Sequence, residues 1–131
     1  MARKIINPWK WQDQYGFVQG HEVSGAERVL WCAGQTSVDG DGNVLHAGDM
    51  TAQINQALDN VETVLKKAGF AWSDVVRLNY YTTDVAAFIE AIGAIGGRLG
   101  AGGCQPSSTL LGVAALFHPD ALIEIEVTAA K

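Results

Sequence analysis

The chain has 131 residues, a net charge of -5, 48% apolar residues and 18% charged residues. That length fits one domain, 1–131, with enough apolar surface for a core without staples. The acidic balance argues against nucleic acid and anionic membrane as partners, and no apolar run approaches the ~18 residues of a membrane span.

In chain order, the first expected element is a short strand at Lys4–Ile6. Pro8 ends it and opens a loop carrying Trp9, Trp11 and Tyr15, aromatic enough to pack on something. Phe17–Val23 reads as a strand, Ser24-Gly25-Ala26-Glu27 as a turn, and Arg28–Ala33 as its hairpin partner. Asp39-Gly40-Asp41-Gly42-Asn43 marks a second turn before a short strand at Val44-Leu45. From Asp49 to Gly69 the apolar residues Met50, Ile54, Leu58, Val61 and Leu65 fall on one helical face. Asp49 suits the N-cap, Lys66 and Lys67 complement the C-terminal dipole, and Gly69 suits the left-handed position after the helix.

Val75–Thr83 is rich in β-branched and aromatic residues and reads as a strand. Phe88, Ile92, Ile95 and Leu99 mark a second amphipathic helix, loosened by Gly93, Gly96 and Gly97. Thr109–Leu116 and Ala121–Thr128 close the chain as strands. The order of elements predicts an α+β two-layer sandwich, a mixed sheet with two helices on one face. Thr109–Leu116 is apolar on both of its faces, and the helices can cover only one. A second copy of the chain is the economical cover for the other, which also fits the low share of charge against about 25% in typical domains.

Several motifs resolve to ordinary structure. The glycines from Gly96 to Gly103 neither follow a strand nor open a helix, and they lack the Gly-Lys-Ser/Thr of a phosphate loop, so they read as a helix terminus and connection. His21, His46 and His118 are scattered, with no ligand spacing to one another or to cysteine, which predicts no metal site. No Gly-x-Ser-x-Gly elbow is present. Cys32 and Cys104 have neither CxxC nor metal spacing and no neighbouring base, so they read as reduced thiols of a cytoplasmic protein. The N-terminal residues also lack the long apolar stretch of a signal peptide.

Glu124 is the strongest chemical candidate. In Leu122-Ile123-Glu124-Ile125-Glu126-Val127-Thr128 the period of two sets Ile123, Ile125 and Val127 on one face, and Glu124, Glu126 and Thr128 on the other. A wet face would leave both carboxylates solvated. At the edge of a covered apolar face, Glu124 would be partly desolvated and suited to proton transfer. Tyr80 and Tyr81 must point to opposite faces, so at most one lies under the helices. Phe17, like any aromatic on a strand, is more often core than ligand contact.

Taken together, Gly16-Phe17-Val18-Gln19, Cys32-Ala33-Gly34-Gln35, Gly48 to Gln53, Gln56 to Asn60, Tyr81-Thr82-Thr83-Asp84 and Leu122 to Glu126 resemble the RidA/YjgF family of small enamine/imine deaminases over nearly the whole chain. The resemblance implies a chorismate-mutase-like fold, a homotrimer whose sheets close a central β-barrel, and a small-molecule cleft at each subunit interface, with no cofactor. It assigns Glu124 to orienting the attacking water and Phe17, Gly34 and Tyr81 to lining the cleft. The family's Pro-x-Arg-Ser/Thr motif, whose Arg grips a substrate carboxylate, here reads Pro106-Ser107-Ser108-Thr109. Ser108 offers one neutral donor in place of a charged fork, and Phe17 replaces the usual Tyr.

Three readings follow. The first is an imine or enamine hydrolase with a changed substrate, in which Glu124 orients water and the Gly34 or Thr109 backbone amides, or the Ser108 hydroxyl, polarise the substrate; Arg77 and Asn79 share the strand parity of Tyr81 and are candidate replacements for the missing Arg. The second is a non-catalytic trimer that binds a small metabolite in the same cleft. The third, a translation-inhibitor or ribonuclease role, is opposed by the acidic charge and the absence of a His pair.

Overall fold

In the computed structural model, which describes residues 1–131, the periodic segment forms α1 (Met50–Ala68) between the capping residues read from the sequence. Asp49 accepts the Ala52 N–H at 3.0 Å, and Gly69 closes the helix at φ +80°. Ile54, Ala57, Leu58, Val61 and Leu65 are at most 1% exposed. Full burial of each large side chain in this stripe contributes roughly 1.5–3 kcal/mol, which is what fixes the helix against the sheet.

That sheet has four strands in the order β3 (Val29–Trp31), β6 (Ile123–Ala130), β4 (Val75–Thr82) and β5 (Ser107–Gly112). β6 runs antiparallel to both neighbours, and β4 runs parallel to β5. A parallel pair needs a crossover. Here it is supplied by α2 (Val85–Ala91) and α3 (Gly93–Ala101), one predicted helix broken at Ile92 and Gly93. Asp84 caps α2 by accepting the Ala87 N–H at 3.0 Å. Leu78, Tyr80, Ile123, Ile125 and Val127 join the helical stripe and Phe88, Ile95 and Leu99 in one core, so all three helices back one face of the sheet.

The expected pairing of the first strands is corrected. β2 (Gly20–Ser24) pairs with β1 (Ala2–Ile6) in a separate two-stranded sheet, and the strand expected to close its hairpin instead flanks β6. Gly25, at φ +67°, turns the chain away from β2, and the Glu27 and Arg28 N–H groups both donate to the Lys131 carbonyl. The exchange places Leu30 against the core. Phe17 lies outside any strand, just after Gly16 (φ +74°) ends a 3-10 turn at Trp11–Tyr15. Val18 alone bridges to the main sheet, donating to the Pro106 carbonyl at 3.0 Å.

Two further strand expectations shorten. Val44 makes a single bridge to Val38 rather than a strand. β5 begins at Ser107 and stops at Gly112, because β4 ends at Thr82 and the last bond available is from Val113 N–H to the Thr82 carbonyl. Ala114 to Asp120 therefore form a loop and not the end of a strand. The aromatic loop packs largely on itself: Trp11 sets its ring edge-on to Phe17 at 5.8 Å and to Tyr15 at 6.4 Å.

Candidate functional site

The sheet face turned away from the helices is open. Alternation along β4 and β6 sends Arg77, Asn79 and Tyr81, with Glu124, Glu126 and Thr128, to that side. Thr109 and Leu111 join them from β5, and Trp31 from β3. Trp31 is 77% exposed and Leu111 49%, large apolar side chains that nothing in the chain covers. No group of three or more His, Cys, Asp and Glu side chains converges to hold a metal ion, and no helix is long and apolar enough to cross a membrane.

The two glutamates have different surroundings. Glu126 Oε1 accepts from the Tyr81 hydroxyl at 2.5 Å and from Asn79 Nδ2 at 3.0 Å. Those hydrogen bonds, with a smaller contribution from the Arg77 charge, hold its carboxyl below the ordinary range. The same bond raises the Tyr81 phenol, so it stays a neutral donor. Arg77 itself donates to Thr109 Oγ1 at 2.7 Å. Both polar candidates for replacing the missing Arg, Arg77 and Asn79, are thus engaged in this network.

Glu124 is partly buried and stands next to Gly34. Cys32 donates to the Val127 carbonyl, and Gln35 exchanges both backbone bonds with Ile125. Three steps along the first segment therefore match two along β6, so one extra residue bulges at Ala33-Gly34. A Cβ built on Gly34 would lie 2.2 Å from Glu124 Oε1. The absence of a side chain there is what gives the carboxylate its place.

Glu124, Gly34 and Tyr81 thus meet on the open face, which Thr109 shares from β5, opposite Asn79. Phe17 and Ser108 do not join them. Ser108 pairs with Leu78 in the β4–β5 register and, like Leu78, points to the helix side. There it lines a cavity of about 610 Å³ together with Phe17, Tyr80, Phe88, Ile95 and Leu99. The sequence reading missed this cavity, having taken the glycines of the second helix only as weak points. Gly93, Gly96 and Gly100 recur at steps of three and four, which is the spacing of one helix face and the available signal. All three line the space. Burial pushes the Cys104 thiol beside them up to about 12.

A helix-backed mixed sheet with an open face carrying a locked and a free carboxylate defines the class of protein, a small α+β sandwich. Residues 14–131 match the family model described as Endoribonuclease L-PSP. A RutC family protein from Pyrococcus horikoshii is 30% identical over 106 residues, covering 81% of this chain and 82% of that one. The structure of YyfB from Yersinia pestis, described as a protein of unknown function of the conserved Rid family, superposes with a TM-score of 0.89 at 36% identity, over 100% of both chains. The YjgF gene product of E. coli superposes with a TM-score of 0.71 at 28% identity, over 88% of this chain and 87% of that one. The chain belongs to the RidA/YjgF family.

Proposed function

We propose that three copies of this single-domain chain close their open sheet faces into a central barrel, and that each inter-subunit cleft hydrolyses a reactive imine or enamine to a carbonyl compound and ammonia. The observation that carries the reading is the Glu124 carboxylate, seated against the Gly34 bulge while Glu126 beside it is tied to Tyr81 and Asn79. Glu124 accepts a hydrogen bond from water and turns the water oxygen toward the C=N carbon. As the C–O bond forms, one water proton passes through Glu124 to the nitrogen; in the collapse the remaining hydroxyl proton follows as the C–N bond breaks, releasing ammonia and leaving the carbonyl. The tied Glu126 fixes Tyr81 at the wall of the cleft, and Thr109 is fixed by Arg77.

Phe17 and Ser108 lie across the sheet from Glu124, which favours a cleft shared between subunits, one giving the carboxylate and another the ring and the hydroxyl. Both cysteines are free and buried, in keeping with a cytoplasmic protein. The test is hydrolysis of imines generated in situ by an amino-acid oxidase, with semicarbazide as competitor and acidic, apolar, aromatic and carboxylate-free imines in the panel. Turnover lost in Glu124→Gln supports the reading; equal turnover in wild type and mutant overturns it. One observation favours a second reading, a non-catalytic trimer that binds a small metabolite: no Lys or Arg lines the cavity at Ser108. Silence across the panel, with a ligand retained, would favour that reading.

A further inference from the structure

The helix-side cavity has a chemistry of its own. About 610 Å³ is the size of a small-molecule pocket. Its body is apolar, with Phe17, Phe88, Ile95, Leu99 and Leu110 around it. No cation lines it, and its one charged residue is Asp13, exposed at the rim. The arginines of the neighbouring elements are held elsewhere: Arg77 on the opposite sheet face by Thr109, and Arg98 by Asp59 and the Asn55 carbonyl. A carboxylate or phosphate entering this space would lose its water and gain no countercharge.

Two hydroxyl donors line it, from Tyr80 and Ser108. Tyr80 is 8% exposed and sets its ring against Phe88 at 5.3 Å, and burial raises its phenol so that the proton stays on. Nothing in the chain accepts from that phenol. Ser108 is likewise free, whereas Ser107 donates to the Val76 carbonyl at 3.0 Å and Thr109 accepts from Arg77. Neither hydroxyl is sealed off from the cavity, so each can donate to an acceptor on a bound molecule. The space exists because Gly93, Gly96 and Gly100 present no side chains; a Cβ on any of them would meet nothing within 4 Å.

We infer that this cavity binds an uncharged aromatic or branched-aliphatic molecule through one carbonyl-type or imine-type acceptor, held by Tyr80 and Ser108, and that it rejects carboxylates. The inference deepens the reading above at its substrate end, because Phe17 and Ser108 belong to both. A carboxylate-free apolar imine is the substrate class it names.

The test is calorimetric titration of the full-length protein with acetophenone, toluene and benzoate, which share a ring and differ in the polar group. Acetophenone is expected to bind at least tenfold more tightly than benzoate. Tyr80→Phe should weaken acetophenone at least threefold and leave toluene unchanged. Gly96→Leu fills the space and should abolish binding, whereas Gly97→Leu, on the same helix but outside the cavity lining, should not. Ser108→Arg should invert the preference toward benzoate. Benzoate binding wild type as tightly as acetophenone, acetophenone binding that survives Gly96→Leu, or no heat from any probe at millimolar concentration would each overturn the inference. Binding is read without turnover, so the two readings fail separately. Acetophenone bound normally by a protein silent on every imine overturns only the hydrolase.

Discussion

Tyr81 stands directly opposite Glu124 in the β4–β6 register, but its hydroxyl reaches diagonally to Glu126 Oε1 at 2.5 Å. The diagonal bond separates the two carboxylates of β6 into a locked one and a free one. Alternation along the strand could not distinguish them, since it sets both on the same face.

The locked pair gives a pH dependence with a definite sign. Glu126 is held below the ordinary carboxylate range, so its stabilising contribution is present above ~4.3 and is lost as the pH falls through the lowered value. Tyr81 is raised, so its contribution is present below ~10 and is lost as the pH climbs through the raised value. Tyr81→Phe should move the Glu126 carboxyl back up and bring acid unfolding to a higher pH. A carbon-detected NMR titration of the Glu126 carboxyl reads the first effect and thermal melts from pH 3 to 7 the second. An unmoved Glu126 titration would mean that the bond does not hold in solution.

Gly34→Ala separates site from fold. The added Cβ meets only side-chain atoms of Glu124, its Oε1, Cδ and Cγ, and no backbone, so a change of rotamer that swings the whole partly exposed side chain aside relieves the clash. Stability should change by less than about 1 kcal/mol, while imine turnover falls at least tenfold as the carboxylate leaves its seat. Urea denaturation and steady-state rates on the same preparation make the comparison. A rate equal to wild type would show that the seat at the bulge has no part in the reaction.

Much of the fold was legible because its strongest signals are local. The α1 stripe and its two caps are set by residues within one or two turns of each other, and the in-out alternation of β6 by nearest neighbours. The partner of β3 was not legible. Ser24 to Glu27 reads as a hairpin turn, and only the distant Lys131 carbonyl reveals where the Glu27 and Arg28 N–H groups go. The end of β5 was hidden for the same reason, because Leu111 to Leu116 keeps strand composition past the point where β4 has run out. At the site, parity could set Glu124 and Glu126 on the open face but not tell them apart, because the Asn79–Glu126–Tyr81 network depends on a diagonal reach. The separation of Ser108 from Glu124 follows from a β4–β5 register that no single segment carries.

Gln53 tests a buried polar link between α1 and the loop that precedes β6. It is 0% exposed, donates to the carbonyls of Asp120 at 2.7 Å and His46 at 3.2 Å, and accepts the Leu122 N–H at 2.8 Å. Gln53→Leu keeps the volume and strands two backbone groups, the Asp120 carbonyl and the Leu122 N–H, while the His46 carbonyl keeps the Asp49 N–H. At ~1–3 kcal/mol for each unsatisfied buried group, the loss should reach about 2 kcal/mol or more. Asp49→Ala, which removes only an exposed cap, should cost ~1 kcal/mol. Urea midpoints with an unchanged slope would report both values. A Gln53→Leu loss no larger than that of Asp49→Ala would mean that the loop finds other partners.

The open sheet face makes the most direct prediction about assembly. Trp31 and Leu111 lie on it at 77% and 49% exposure, on β3 and β5, the two edges of the sheet. Apolar groups that size contribute most when covered, and a barrel closed by three copies would cover both edges at once. Sedimentation velocity should show wild type as a three-chain species. Trp31→Glu and Leu111→Glu each place a charge where the copies meet, and removing it from water without a partner opposes closure. Each variant should shift the protein to one-chain species while far-ultraviolet circular dichroism keeps its shape, because neither side chain belongs to the helix-side core. If both variants sediment as wild type does, the open face is not where the copies meet, and a cleft shared across it loses its basis.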